Sequence, residues 1–400
     1  MMAGGFQNRM AKLLLLVLAA GAVMGLAAGE VWSGDGMLRR EPGRIPVLFA
    51  AGTPEAMGEA QGKLLKPEIH RMYERILLVA GGYLYTKNDW FFDRISEVEK
   101  RSAAVLPERF LRELDAMSLA AGLTAAEGRQ INLFPEMFHC SGIAVRGKAS
   151  AGGKVIHARV LDYMRDIGLQ AMAVIQVFMP DGYHAWLSVG FAGLNGTVTA
   201  MNAEGLAMGE MGGRGEGNWD GLPMSYLMRR IMEECATVDE ALALIKTTPL
   251  TCEYYYVLSD RTGNMAAVAA KAGVPPLILR PGEETPLLCA AFEDIVWVTA
   301  PGRQPALSQR LRENYGKIDV EAMKQIITRP VAMKSNLQDA IFLPETLDVY
   351  FAYAGPKTVA CDEPYTRLNL RELIDSYRSA WKLRQGQNEA VTTSAAGAAR

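Results

Sequence analysis

Cys140, Arg159 and Asp162 are the residues whose types could combine into a nucleophilic site. A thiol becomes a nucleophile once it loses its proton, and an arginine and an acid nearby are the charged groups that could steady it. Cys140 heads the short apolar run Cys140-Ser141-Gly142-Ile143-Ala144-Val145, where helical spacing gives way to strand-like spacing. A second run, Val155-Ile156-His157-Ala158-Arg159-Val160-Leu161-Asp162, ends with the arginine and the acid. Residues three apart in a regular strand face opposite sides, so Arg159 and Asp162 converge only if the chain bends at Tyr163-Met164-Arg165-Asp166. On spacing alone, a plain buried thiol and a structural ion pair account for the same residues.

Other chemistries have weaker signals. Trp186-Leu187-Ser188-Val189-Gly190 lacks the first glycine of a nucleophile elbow, which argues against a serine hydrolase of that type. The cluster Gly212-Gly213-Arg214-Gly215-Glu216-Gly217 does not sit directly between a strand and a helix and reads as a loop, not a phosphate cradle. Four histidines and five cysteines show no C-x-x-C or H-E-x-x-H spacing, so neither a metal nor another cofactor is expected. His184 falls in a hairpin and reads as packing or surface; a papain-like Cys–His pair would need it. Lys and Arg number 42 against 44 Asp and Glu, and this balance leaves no basic surplus for a nucleic-acid partner.

The elements that must position Cys140 can be read in outline. With 400 residues, 50% hydrophobic and 22% charged, the chain can bury a large core. Arg9 and Lys12 precede an uncharged run from Leu13 to Gly29 that ends in small residues, which reads as a signal peptide over 1–29. The run is long for a cleaved segment and short for a spanning helix, so an uncleaved membrane anchor stays open. Either way the protein is expected to be exported, periplasmic or secreted. In that compartment two disulfides among Cys235, Cys252, Cys289 and Cys361 and four buried thiols are both admissible, and we favour the thiols.

Residues 30–139 read as mainly helical. Thr53-Pro54-Glu55 starts one helix, Pro107 a second and Thr124 a third, while Gly58 and Gly62 would let another backbone approach closely. From Cys140 to about residue 384 the pattern is strands and paired helices. Hairpins fall at Met172–Met179 with Tyr183–Val189, at Thr197–Met201 with Leu206–Gly209, and at Tyr254–Leu258 with Met265–Ala270. Residues 385–400 read as a disordered tail. Hairpins interleaved with paired helices predict an α+β protein of two antiparallel sheets covered by helices.

The order of several features resembles the isopenicillin-N acyltransferase-like family of cysteine N-terminal-nucleophile (Ntn) hydrolases, relatives of choloylglycine hydrolases and acid ceramidase. The features are Gly52-Thr53-Pro54-Glu55 with Gly58 and Gly62, then Cys140-Ser141, Gly153-Lys154 and Arg159-Val160-Leu161-Asp162. Met201-Asn202-Ala203-Glu204-Gly205-Leu206-Ala207, Asn336-Leu337 to Phe342-Leu343-Pro344, and Pro364-Tyr365 to Leu368-Asn369-Leu370 complete the series. The resemblance implies a four-layer αββα sandwich. It also implies self-cleavage between His139 and Cys140, giving α and β chains from one precursor. The freed α-amino group, with a pKa of about 7.7–8.0, would then serve as the base for its own thiol. Asp162 would hold that amine, Arg159 would position the thiol or substrate, and Asn202 would help bind the oxyanion.

The implied substrate is a small-molecule or peptide amide. An acyltransferase using the same acyl-enzyme and a catalytically inactive binding relative are the alternatives. One departure bears on both. The later strand Trp297-Val298-Thr299-Ala300-Pro301 lacks the second oxyanion asparagine of relatives, and Thr299 is the polar residue standing there.

Overall fold

The structure is a computed structural model that describes residues 29–398, apart from 78–80, 87–90, 134–138, 164, 214, 216 and 286–290. The expected targeting segment therefore lies outside the described residues, except for its last one, Gly29. No described helix is long and apolar enough to cross a membrane.

Before the first helix the chain forms three strands, β1 (Gly29–Ser33), β2 (Gly36–Arg40) and β3 (Val47–Gly52). These three strands precede the helices of the region over 30–139 and were not expected there. Val47-Leu48-Phe49-Ala50 is buried on both faces, so it shows none of the alternation by which a strand is read. Six helices follow: α1 (Pro54–Leu64), α2 (Lys66–Ile76), α3 (Gly82–Thr86), α4 (Phe91–Ser102), α5 (Glu108–Ala121) and α6 (Ala125–Asn132). Thr53 Oγ1 accepts the Ala56 N–H at 3.2 Å to cap α1, and Thr124 and Glu127 close a reciprocal capping box on α6. Helix α5 ends at Gly122, whose φ of +83° is the left-handed turn that glycine permits. A Cβ at Gly58 or Gly62 would strike the α5 backbone at Glu113 and Met117, so the two small residues set the close α1–α5 approach.

The rest of the chain builds two sheets. Strands β4 (His139–Gly147) and β5 (Gly153–Asp162) form a hairpin. Next come β6 (Ala173–Pro180), β7 (Trp186–Phe191), β8 (Thr199–Asn202) and β9 (Ala207–Gly212). Helices α7 (Met224–Glu234) and α8 (Val238–Thr247) precede β10 (Glu253–Ser259), β11 (Met265–Lys271) and β12 (Val274–Leu279). Strand β13 (Ile295–Thr299), α9 (Gln304–Asn314) and α10 (Val320–Ile326) lead to β14 (Asn336–Leu343), β15 (Asp348–Tyr353) and β16 (Thr366–Asn369). Helix α11 runs Leu370–Ala398. The expected tail over 385–400 is thus helical through Ala398, in line with its alanine content and helix propensity.

The larger sheet has the order β1-β2-β3-β6-β7-β8-β9-β10-β11-β12, and the smaller has β13-β4-β5-β14-β15-β16. All pairings are antiparallel except β3 with β6. Side chains of β4 and β5 alternate between two cores. Ala144 and Leu161 join the core shared with the large sheet, while Ile143, Val145, Ala158 and Val160 join Leu307, Leu311, Met323 and Ile326 of α9 and α10. The layers are therefore helices, sheet, sheet, helices.

A buried ionic cluster ties the region before Cys140 to the region after it. Glu113 of α5 meets Arg229 Nη2 of α7 at 2.5 Å, accepts from Gln61 of α1 at 2.9 Å and from Asn195 at 2.9 Å. Arg229 also holds Glu233 at 2.8 Å. Removing one member of such a buried set leaves charge without its partner. Glu113→Ala is expected to lower stability by about 3 kcal/mol. Glu113→Gln, which keeps the hydrogen-bonding shape, is expected to cost less. Urea midpoints of the full chain check both.

Candidate active site

Cys140 lies at the start of β4, and its partner across the ladder is Leu161 of β5. Residue 139, whose side chain lies outside the described residues, pairs with Asp162. The alternation of β4 sends the Cys140 side chain into the core between the sheets and Ser141 to the opposite face. The proposed scissile peptide is therefore held in a regular ladder, next to the strand end that carries the acid.

Arg159 and Asp162 do face opposite sides of β5, and no bend is needed to bring both to Cys140. Arg159 is fully buried between the sheets and donates from Nη2 to Cys140 Sγ at 3.4 Å. The same nitrogen donates to the Glu210 backbone carbonyl at 3.2 Å and meets Glu210 Oε2 at 3.4 Å. Gly209 makes room for the stem, since a Cβ there would sit 2.5 Å from Arg159 Cγ. Asp162 approaches from the other face and touches the backbone end of the site. Its Oδ2 is bound by Arg303 Nη1, and its Oδ1 accepts the Met333 N–H at 2.9 Å. Arg303 Nη2 in turn donates to the Cys140 carbonyl at 2.9 Å. One guanidinium thus controls the thiol, and a second joins the acid to the backbone of the same cysteine.

Sequence reasoning missed Glu210 and Arg303. Glu210 sits on a strand whose burial gives no reason to suspect an acid, and Arg303 lies in a short turn just before α9, with no motif around it.

The electrostatics follow from burial. Burial pushes the Cys140 thiol up to about 12; Arg159 opposes this, while Glu210 and Asp162 add to it. A thiol at that value is ionised on the order of once in 100,000 at neutral pH, so it needs a local base. Burial also lifts Glu210 to about 7 against the pull of Arg159, and raises Asp162 against Arg303 and the Met333 N–H. Arg159 Nη1 and Glu210 Oε1 are buried and have no hydrogen-bond partner among the described residues.

Two expected roles change. Both Asn202 Nδ2 hydrogens are used by the carbonyls of Met232 and Cys235, at 3.0 and 2.7 Å. Its Oδ1 accepts the N–H groups of Glu204 and Leu206. Asn202 therefore locks the β8–β9 turn to the end of α7 and has no donor left for an oxyanion. Thr299 pairs with Ser141 across the β4–β13 ladder and meets its hydroxyl at 2.6 Å, on the face opposite the thiol. It cannot take over the role of an oxyanion donor for Cys140. A polar residue on a strand-turn-strand signature can serve either the turn or the site, and the sequence does not distinguish them.

Among the described side chains, no histidine is bonded to the thiol. His184 Nδ1 lies 3.6 Å from Glu204. His157 lies opposite Ala144, four residues along β4 and about 13 Å from Cys140. It bonds Ser259 Oγ at 2.9 Å, and burial lowers its pKa to about 3. His184, the residue a papain-like pair would need, is thus engaged away from Cys140. Cys140, Cys235 and Cys361 carry free thiols. Among the described residues, no group of His, Cys, Asp and Glu is arranged to hold a metal ion.

Two stacked sheets enclosed by helices give the four-layer αββα arrangement. Residues 152–290 match the family "Acyl-coenzyme A:6-aminopenicillanic acid acyl-transferase". The matched stretch contains Arg159, Asp162 and Glu210 and begins after Cys140. The chain is 23% identical over 324 residues to Protein dcd1A of Dictyostelium discoideum, covering 70% of this chain and 72% of that protein. It is 23% identical over 193 residues to the N-acylethanolamine-hydrolyzing acid amidase of Rattus norvegicus, covering 46% of this chain and 52% of that enzyme. Among solved structures, a Caenorhabditis elegans ortholog of that amidase aligns with 52% of this chain and 93% of its own, at 18% identity and a TM-score of 0.44. A conjugated bile acid hydrolase from Clostridium perfringens aligns with 58% of this chain and 93% of its own, at 12% identity and a TM-score of 0.39.

The tight fit at Gly209 gives a direct test. Gly209→Ala must displace the Arg159 stem and with it the guanidinium at the thiol. It is expected to cut Cys140-dependent turnover by about 100-fold, the scale of losing one positioned electrostatic group. Steady-state kinetics beside a thermal melt separate this from unfolding.

Proposed function

We propose that the protein is an exported, self-processing amidohydrolase that cleaves a linear amide of an acylated amine or peptide through Cys140. The observation that carries the reading is the convergence on Cys140 of two buried guanidinium groups, Arg159 at the thiol and Arg303 at the carbonyl, with Asp162 beside the latter. A structural cysteine needs none of these partners. The relatives named as amidases and as a bile acid hydrolase support an amide substrate.

The chemistry proceeds in two stages. In the precursor, Cys140 Sγ attacks the carbonyl carbon of residue 139, the peptide C–N bond breaks, and the acyl group moves to sulfur. Water then hydrolyses that thioester, leaving a carboxylate on residue 139 and a free amine on Cys140. In turnover the amine takes the thiol proton and Sγ attacks the substrate carbonyl. The proton is handed to the leaving amine as the C–N bond breaks, and water releases the acid from the acyl-enzyme. Asp162, already next to the Cys140 backbone, keeps the new ammonium in place. Arg159 Nη1 has no acceptor among the described residues and suits a substrate oxygen. Hydrolysis is favoured over acyl transfer because an exported enzyme meets water in excess and little acyl-coenzyme A.

An N-acyl amide mixed with the protein and quenched early should leave a mass increment of one acyl group on the peptide starting at Cys140. Free amine should accumulate at the rate of turnover, and Cys140→Ala should abolish both. Amine release that survives in Cys140→Ala would exclude this reading.

A further inference from the structure

A second buried acid stands behind Asp162 and has no place in the chemistry described so far. Asp339 of β14 is fully buried on the same face of the small sheet as Asp162. Its Oδ1 accepts from Asn336 Nδ2 at 2.9 Å, and its Oδ2 accepts from Tyr365 Oη at 3.1 Å. Asn336 is the partner of Asp162 across the ladder, and the register slips between Asn336 and Gln338. Such a bulge leaves one residue unpaired and re-aims its neighbours. Asn336 also donates to the Leu161 carbonyl at 3.3 Å, and its Oδ1 accepts the Cys361 N–H at 2.7 Å. Leu161 is the ladder partner of Cys140. A continuous buried polar path therefore runs from Tyr365 through Asp339, Asn336 and the end of β5 to Asp162 and Cys140.

We propose that Asp339 is a positioning residue for the nucleophile, acting through Asn336 and Asp162 to set the negative potential on the helix-facing side of Cys140. The proposal rests on the reading of Cys140 as the nucleophile. A neutral residue would fill the space without the cost of a buried carboxylate. Among the described residues, no salt bridge forms at Asp339. The charged and titratable groups around it are Asp162 and Arg159 of β5, Arg303 on Asp162, and Tyr365 and Cys361 from the segment after β15. Lys324 of α10 lies 5.2 Å over the Tyr365 ring and is paired with Glu321. Burial raises Asp339 to about 7, opposed by its two hydrogen bonds and reinforced by Asp162, so its charge changes in the neutral range.

The sign is fixed by electrostatics. An ionised Asp339 repels the Asp162 carboxylate and favours the protonated form of any group on Cys140, thiol or amine. Asp339→Asn removes that charge and should move the pH profile of Cys140 towards lower pH. Tyr365→Phe removes a donor to the carboxylate, keeps Asp339 neutral to higher pH, and should raise the reactivity of Cys140 near neutral pH.

The experiment is the rate of iodoacetamide alkylation at Cys140 against pH in the full-length protein, read from the mass of the Cys140 peptide. Wild type, Asp339→Asn and Tyr365→Phe are compared, with amide turnover and melting temperature measured on the same samples. The expected result is a midpoint lower by about 0.5–1 pH in Asp339→Asn and, in Tyr365→Phe, a rate above wild type near about pH 7–8, where Asp339 stays neutral in the variant. An unchanged midpoint in Asp339→Asn, an unchanged neutral-pH rate in Tyr365→Phe, or a rate reduced equally at every pH overturns the proposal and leaves Asp339 as packing. Should Asp339→Asn fail to fold, Tyr365→Phe decides alone. Alkylation needs no amide hydrolysis, so a shifted midpoint in a protein without turnover would keep the role of Asp339 and remove the hydrolase reading.

Discussion

A thiol enclosed between two sheets is pushed up to about 12 and is almost wholly protonated at neutral pH, so rapid turnover would need a base beside it. The rest of the site follows from that burial. A histidine could serve as base only at hydrogen-bond reach, and His157 and His184 are placed elsewhere. The α-amino group of Cys140 itself, attached two bonds from the thiol carbon, is a base that burial cannot separate from it. On the proposed reading, burial joins cleavage before Cys140 and catalysis by Cys140 in one mechanism.

The hairpin of β4 and β5 solves the placement problem with backbone geometry alone. Alternation puts Cys140 and Arg159 between the sheets, and puts Asp162 on the helix-facing side at the strand end. Arg303, in the turn before α9, spans from Asp162 to the Cys140 carbonyl and connects the outer helical layer to the site. The same layering imposes a cost in polar burial. Glu210, Asp162 and Asp339 are all raised by desolvation, and only the first two have an arginine within ion-pair distance.

Much of this was legible in the chain. Hairpins at β6–β7, β8–β9 and β10–β11 showed short apolar runs separated by turn residues, and α1 and α6 carried their caps in sequence. Strands β3 and β12 were not legible, for different reasons. The first is buried on both faces, and the second contains Pro275-Pro276, which argues against a strand and fits here because β12 lies at the sheet edge. In the site, Cys140, Arg159 and Asp162 stood out because they close runs of opposite character. Asn202 misled, since a turn and an oxyanion hole ask for the same side chain. Arg303, Glu210 and Asp339 had no local signal at all; each is brought to Cys140 by strand pairing or by packing between elements far apart in sequence.

The most direct measurement is the intact mass and N-terminal sequence of the purified protein over time, beside Cys140→Ala. The account predicts a chain running from Cys140 to Arg400 that appears in the wild type and never in the variant. A wild-type chain that turns over an amide while remaining uncut, or that is cut at the same bond in Cys140→Ala, would contradict it.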